Sequence, residues 1–393
     1  MTSERILIVQ AERGLLDEYD ALATRSYGHP VPAVRQLAGR VDTRVAVRGG
    51  KVIAGGLGFL AGQHFGGRPV PTACLGSGCV APEERGEHLG ARMLEERIRP
   101  LREQGAVLAT VWTALTKHAR RMGWQAPVPT ATHEVPASAL RATFEPGNHR
   151  IEHGCSLAGE RMRAGLAPDW NGTLTRPAWW NDFLIEHHGA QTYEFTSTAG
   201  DTPAGQLTLA TTRHPQRGAQ LTVHGFWAAD PDTTAAMLAF LGRWDSRIPT
   251  IRFERTALPP HPLLLHTLPR STLLTTHAQP PWMLRLLDVE EAIRQRGWPA
   301  DLDLRIGIEI GTRDGSGQDH YLLEITKGTA QLTPASPADT EVAFTRAQFT
   351  LWYAGAFGST AAALLAGVCG APEALTALIR ATCEREPWLT EHF

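Results

Sequence analysis

The hydrophobic pattern switches period at Glu83, and that switch constrains the fold more than any other stretch of the chain. Residues 69–81, PVPTACLGSGCVA, read as an extended strand that Pro82 closes, because proline cannot donate to a sheet ladder. Beyond residue 83, Leu89, Met93, Leu94 and Ile98 fall along one side of a 3.6-residue repeat, the mark of an amphipathic helix. Arg85 and Gly86 open a turn between the two. A strand, a short loop and a helix in that order leave unpaired N–H groups at the helix N-terminus. Such a place suits an anion, and above all a pyrophosphate.

The flanking sequence builds a mixed α+β unit around this segment. Residues 43–65 read as a hairpin turning at Gly49 and Gly50, and a second turn falls at Gly66 and Gly67. Helical spacing recurs at residues 14–26 and 115–122, with a short apolar strand at 106–112. Farther on, strands at 191–196, from 205 and around 221 precede a helix at 234–243, a rhythm resembling the first unit. Residues 257–281 are rich in Pro, His, Leu and Thr and read as a linker or irregular cover. A third unit is expected from Trp282, with a strand, a helix capped by Asp288 in a capping box with Glu291, a hairpin around RDGSG and small-residue helices. For 393 residues, at about 150 per domain, the expected division is 1–150, 151–281 and 282–393.

Charge and cysteine content narrow the function class. Lysine plus arginine number 38 against 40 acidic residues, a formal charge of −2, which does not mark a nucleic-acid or membrane-surface binder. Only Lys51, Lys117 and Lys327 are lysines, so few amines are available as bases. Cys74, Cys79, Cys155, Cys369 and Cys383 are odd in number and lack CxxC spacing, which suits a reducing compartment. With no leader-like start and no apolar run of membrane length, a cytoplasmic chain is expected.

Residues 78–94 resemble the cofactor loop of GCN5-related N-acetyltransferases, in which an arginine and glycines cradle acetyl-coenzyme A. Over nearly its whole length the chain resembles the Eis family of aminoglycoside and protein acetyltransferases. The ordered landmarks are residues 64–67 (HFGG), Val80-Ala81-Pro82 with Arg85, residues 121–124 (RMGW), residues 282–296 and residues 351–367. The resemblance implies tandem mixed-sheet acetyltransferase units, a sterol-carrier-like α+β C-terminal domain and a homo-oligomer, hexameric in that family. It also implies acetyl-coenzyme A as co-substrate, no metal, and an amine of a small molecule or a protein lysine as acceptor. The cofactor contacts carried over are Cys79, Val80, Arg85, Gly86, Glu87, His88 and Gly90.

Two departures stand out. The family continues the loop as Arg-x-x-Gly, whereas the matching position here is His88. The family's catalytic tyrosine, a general acid toward the departing thiolate, falls on Ala119, with His118 beside it. Adjacent helix positions face about 100° apart, so His118 is open to two readings: the replacement acid, or a solvated helix histidine. The last residue does keep the pattern. Resemblance assigns the terminal carboxylate of Phe393 as general base toward the acceptor amine, against the alternative of an apolar residue pinning a terminus.

Other candidates are weaker. Trp179 and Trp180 read first as core, second as an acceptor-cavity wall. Adjacent His187 and His188 make a poor metal site, and His214, His224, His261 and His266 lack ligand spacing. Cys74 and Cys79, five apart on an extended strand, should face opposite sides, leaving at most one for the cleft. The expected activity is N-acyl transfer from a coenzyme A thioester to an amine. Its rivals are the same fold using an unusual acyl donor in specialised metabolite biosynthesis, and a catalytically silent binding or assembly protein.

Overall fold

The computed structural model describes residues 5–86, 88–214, 218–260, 264, 267–312 and 316–393. Its first sheet runs β1 (Leu7–Gln10), β2 (Asp42–Arg48), β3 (Lys51–Phe65), β4 (Arg68–Val80), β5 (Leu108–Trp112) and then the strand Trp282–Leu286. Only β4 and β5 are parallel, joined by the helix Leu89–Glu103. That helix buries Leu89, Met93 and Ile98 of the stripe that marked it in the sequence, leaves Leu94 half-buried, and adds Leu101 and Arg97 to the buried face.

The second sheet has seven strands and repeats the plan. A hairpin, Pro203–His214 with Gly218–Ala228, leads through the helix Pro231–Gly242 to a parallel strand, Thr250–Phe253. The third sheet has five strands, packed by the helices Arg346–Ala354 and Pro372–Arg380. The first and third units share one core, in which Phe59, Phe65 and Val70 meet Trp282, Trp352 and Tyr353, while the second keeps its own. Among the described residues no helix is long and apolar enough to cross a membrane.

The sheets do not part at the expected boundaries. Ala131–Pro136, expected in the first unit, and His149–His153, which straddles the expected boundary, are strands of the second sheet. Trp282–Leu286, expected to open the third unit, pairs antiparallel with β5 in the first. All five of its residues are buried, so the run needs cover on both faces and finds it between the first sheet and the third unit. Its closeness in sequence to the following helix hid that long-range pairing. The expected capping box is half formed: Asp288 accepts the Glu291 N–H at 3.0 Å, but the Glu291 carboxylate turns to Arg294 and Gln295. A complete one joins Thr345 and Gln348.

The β3–β4 turn locks the first unit to the third. Gly66 and Gly67 have φ of +58° and +83°, and a Cβ on Gly66 would run into the Gly297 carbonyl. The buried Asn171 side chain accepts from the Gly66 N–H at 2.8 Å and donates to the carbonyls of Ala354 and Arg385. One amide thus ties three segments together.

Candidate active site

The site begins where the first sheet opens. β4 and β5 pair from Thr72–Leu108 to Leu75–Val111, and among the described residues the pairing ends there. At the same place β4 bulges against β3: Leu57 faces Gly76, but Gly55 faces Cys79, so β4 carries one extra residue. Ser77 takes it up with φ of +50°. The bulge overturns one expectation. Cys74 and Cys79 pair with Phe59 and Gly55, four apart on β3, so the extra residue returns both thiols to one face. Neither is a ready nucleophile, because burial drives the Cys74 thiol well up and Cys79 to about 11.

Side chains from two helices pin three successive bulge carbonyls. Arg97 donates to the Gly76 carbonyl at 2.6 Å and to that of Leu57. The Tyr19 hydroxyl donates to Ser77 at 2.6 Å and the Tyr27 hydroxyl to Gly78 at 2.9 Å. Glycines make the room: a Cβ on Gly56 would strike the Arg97 guanidinium, one on Gly55 the Tyr19 ring, and one on Gly78 would lie 2.8 Å from Arg97 Nη1. Burial raises both phenols, so they stand as hydrogen-bond donors.

Phe393 reaches this opening from the far end of the chain. A Cβ on Gly76 would lie 3.0 Å from the Phe393 carboxyl carbon. The Phe393 ring sits edge-on to Phe59 at 5.2 Å and to Trp180 at 6.4 Å, and Trp179 meets Phe59 at 5.3 Å. Trp180 is core, as expected first, yet it also walls Phe393. The tail is fixed residue by residue. Trp388 Nε1 donates to the Thr256 carbonyl at 2.7 Å, and the Thr256 hydroxyl to that of Leu389. The buried Glu391 carboxylate takes Arg176 Nε at 3.0 Å and the Leu174 N–H at 3.1 Å, while Trp112 Nε1 holds the Glu391 carbonyl at 2.9 Å. His392 bonds to Arg255 and lies 5.3 Å from the Trp112 ring.

The loop residues lie at the other end of the opening. Cys79 and Val80 are half-buried on β4, and exposed Arg85 donates to the Val80 carbonyl at 3.3 Å. Gly86 has φ of +100°, and Glu87 lies outside the described residues. His88 has φ of +57° and precedes the helix without capping it through its side chain. The family's glycine therefore has a conformational reason here, a left-handed backbone that histidine adopts at a cost of about 1 kcal/mol. Gly90 is not required by space, since a Cβ there would sit 3.7 Å from Val80. A groove of about 390 Å³ runs beside this loop, lined by His88, Arg92, Glu95 and Arg121.

His118 is exposed on the helix Thr116–Arg121, whereas Ala119 is buried with Trp124 and Met283. The inward position holds a methyl group and the imidazole faces solvent, so the structure does not bring His118 to the opening. The other histidines are less scattered than their spacing suggests. His188 stacks on His224 at 4.3 Å and meets His187 at 4.4 Å, close to His392. Among the described residues no group of three His, Cys, Asp or Glu could hold a metal ion; His261 and His266 lie outside them, as does the side chain of His214. Sequence reasoning missed Arg97, Tyr19, Tyr27 and Glu391. A signal existed for Arg97, which falls four residues after Met93 on the apolar stripe.

Family models for an acetyltransferase (GNAT) domain match residues 9–126 and 172–286, and one for a sterol carrier protein domain matches residues 289–390. No curated protein matches the sequence. A GCN5-related N-acetyltransferase from Anabaena variabilis superposes with a TM-score of 0.86 at 18% identity, over 99% of this chain and 100% of that one. One from Kribbella flavida gives 0.79 at 21% identity, over 100% and 99%. Eis1 from Mycobacterium abscessus gives 0.76 at 17% identity, over 99% and 100%. At these identities the likeness is one of fold.

Proposed function

Since the chain carries two GNAT acetyltransferase domains and a sterol carrier protein domain in the three-domain fold of Eis1, we propose that it is an N-acyltransferase that moves an acetyl group from a coenzyme A thioester to an amine. The residues present fit that co-substrate. Beyond Leu75, β4 has no described strand partner toward β5, so an extended arm can lie along it. The first amides of the helix Leu89–Glu103 have no side-chain cap and suit a pyrophosphate, with Arg85 beside them and Arg92 and Arg121 along the groove. Coenzyme A supplies the activated acyl group.

The observation that carries this reading is Phe393 against Gly76, at the point where the sheet opens. With the chain ending at Phe393, its carboxylate takes the proton that the acceptor ammonium must lose before its nitrogen attacks. An α-carboxylate is a weak base by nature, and fixed orientation offsets part of that handicap. Tail contacts from Trp388 to His392 provide the orientation. His118 has no part in this scheme. On its cysteine content we also assign the chain to a reducing, cytoplasmic compartment, and on the family resemblance a homo-oligomer, hexameric as in Eis, which size-exclusion chromatography with light scattering checks.

Appending one glycine after Phe393 tests the base. It moves the carboxylate and leaves the ring. Thiol release from acetyl-coenzyme A, measured with the most active of a panel of polyamines and aminoglycosides, should fall about a hundredfold with coenzyme A binding retained. An unchanged kcat/KM removes Phe393 from the mechanism. Two features favour a donor other than acetyl-coenzyme A as the second reading: a side chain at the left-handed loop position, His88, and the apolar Ala119 where the family keeps a phenol. Calorimetry with acetyl- and longer acyl-coenzyme A thioesters separates the two.

A further inference from the structure

We propose that Arg97 is a positioning residue of the acyl transfer: its buried guanidinium fixes the bulged peptides of β4 and sets a positive charge behind them. That charge favours the negative charge that develops on the thioester oxygen and then on sulfur. The inference rests on the acyltransferase reading of the same opening.

Arg97 is an expensive residue for a helix stripe. It is 5% exposed, and among the described residues no carboxylate lies within ion-pair distance of it. Its compensation comes from two carbonyls, those of Leu57 and Gly76, and its Nε has no partner. A buried cation so weakly paired costs several kcal/mol relative to an apolar side chain of similar size. The bulge itself does not need it. The strand Gly218–Ala228 bulges at the equivalent place, between Val223 and Gly225, and the helix behind it, Pro231–Gly242, holds no basic residue.

Position supplies the function. Gly76 has Arg97 on its carbonyl and the Phe393 carboxyl group at its α-carbon face. In a planar trans peptide, C=O and N–H point in opposite directions, so the Ser77 N–H is directed away from Arg97. A carbonyl held by a cation makes the N–H of the same peptide a stronger donor. With the ammonium proton already on the Phe393 carboxylate, the amine nitrogen forms a bond to the carbonyl carbon, its second proton leaves through water and the C–S bond breaks with its electron pair on sulfur. The carboxyl group, once protonated, adds no charge of its own, and the methyl group of Ala119 offers no proton to the thiolate. Arg97 offsets the charge on oxygen and then on sulfur from behind the strand.

The thiol of bound coenzyme A reads the same field without an acceptor. Its ionisation is followed by ultraviolet absorbance of the thiolate against pH, with the protein alone subtracted. Arg97→Gln keeps a donor for the two carbonyls and removes the charge; Arg97→Met removes both; Arg97→Lys keeps the charge. The bound thiol should titrate about one pH unit higher in Arg97→Gln and Arg97→Met than in the parent. Arg97→Lys should recover at least half of that shift. Identical titrations in parent and Arg97→Gln overturn the proposal, as does a shift that lysine fails to reverse. Loss of coenzyme A binding in a folded Arg97→Gln also overturns it, by making the residue scaffold. Failure of the parent to bind coenzyme A is a separate result, visible in calorimetry before any variant, and removes the acyltransferase reading along with this one.

Discussion

The two acetyltransferase units build the same opening and fill it differently. In each, a hairpin strand pairs with a parallel neighbour and then bulges: at Ser77 after the Thr72–Leu75 pairing, and at His224 after Leu221–Val223. A helix follows each. The first begins at His88 with no side-chain cap, so its amides remain available. The second begins at Asp230, whose carboxylate accepts from the Thr233 N–H at 2.7 Å and from the Thr233 hydroxyl at 2.8 Å. The second opening is also occupied, by Trp388 and Leu389 on Thr256 and by stacked His188 and His224. The same tail crosses the filled opening and ends in the other. Duplicated architecture therefore does not mean duplicated chemistry; one unit holds the tail in place and the other receives its end.

Breaking the tail between the two openings should have the largest effect. Glu391 and Arg176 form a buried ion pair, and Glu391→Gln keeps the shape while leaving Arg176 charged and unmatched. Removing one member of such a pair costs about 3 kcal/mol or more, so the urea midpoint should drop clearly and thiol release with it. A loss below about 1 kcal/mol would mean that water solvates Arg176 and that the tail is held by its other contacts.

Acid should loosen the second opening next. Burial first, then neighbouring positive groups, holds His188 down to about 3; burial holds His224 down to about 4 and His392 well below its ordinary value. In the unfolded chain these imidazoles take protons near pH 6.5, which the native state refuses. Stability conferred by their neutrality is present above about pH 6.5, falls as pH drops toward about 4, and levels off below the folded values. The melting temperature should therefore decline between about pH 7 and about pH 5, and His224→Asn should flatten the decline. An unchanged slope in the variant would place the acid sensitivity elsewhere.

The sequence carried the local elements well and the long-range partners poorly. The period switch at Glu83 located the loop and helix correctly because both signals are local. It did not reveal that Trp282–Leu286 returns to β5, a pairing across 170 residues or more with no local signature. Phe393 was reachable only through family resemblance, since nothing in an isolated C-terminal phenylalanine says that Gly76 lies beside it. The bulge was invisible in the run Gly76-Ser77-Gly78, and a simple alternation argument through it put Cys74 and Cys79 on opposite faces. Arg97 was the one legible omission. A charge on an apolar stripe is a local anomaly, and it can be noticed before any partner is known.

The smallest effect tests the comparison at its origin, the two helix N-termini. Asp230→Ala removes a cap that satisfies two donors and should cost about 1 kcal/mol, seen as a modest fall in melting temperature. His88→Gly should do the reverse in the first unit, gaining about 1 kcal/mol by relieving a left-handed backbone. Coenzyme A should bind once per chain in the parent and in both variants. Freeing the amides at Asp230 does not empty the second opening, which Trp388 and Leu389 still fill. Two coenzyme A molecules per chain in Asp230→Ala would show that the cap alone closes the second unit, and the tail would then be only an anchor there. A single molecule, with the stability loss confined to the second unit, makes the occupied opening the difference between the units.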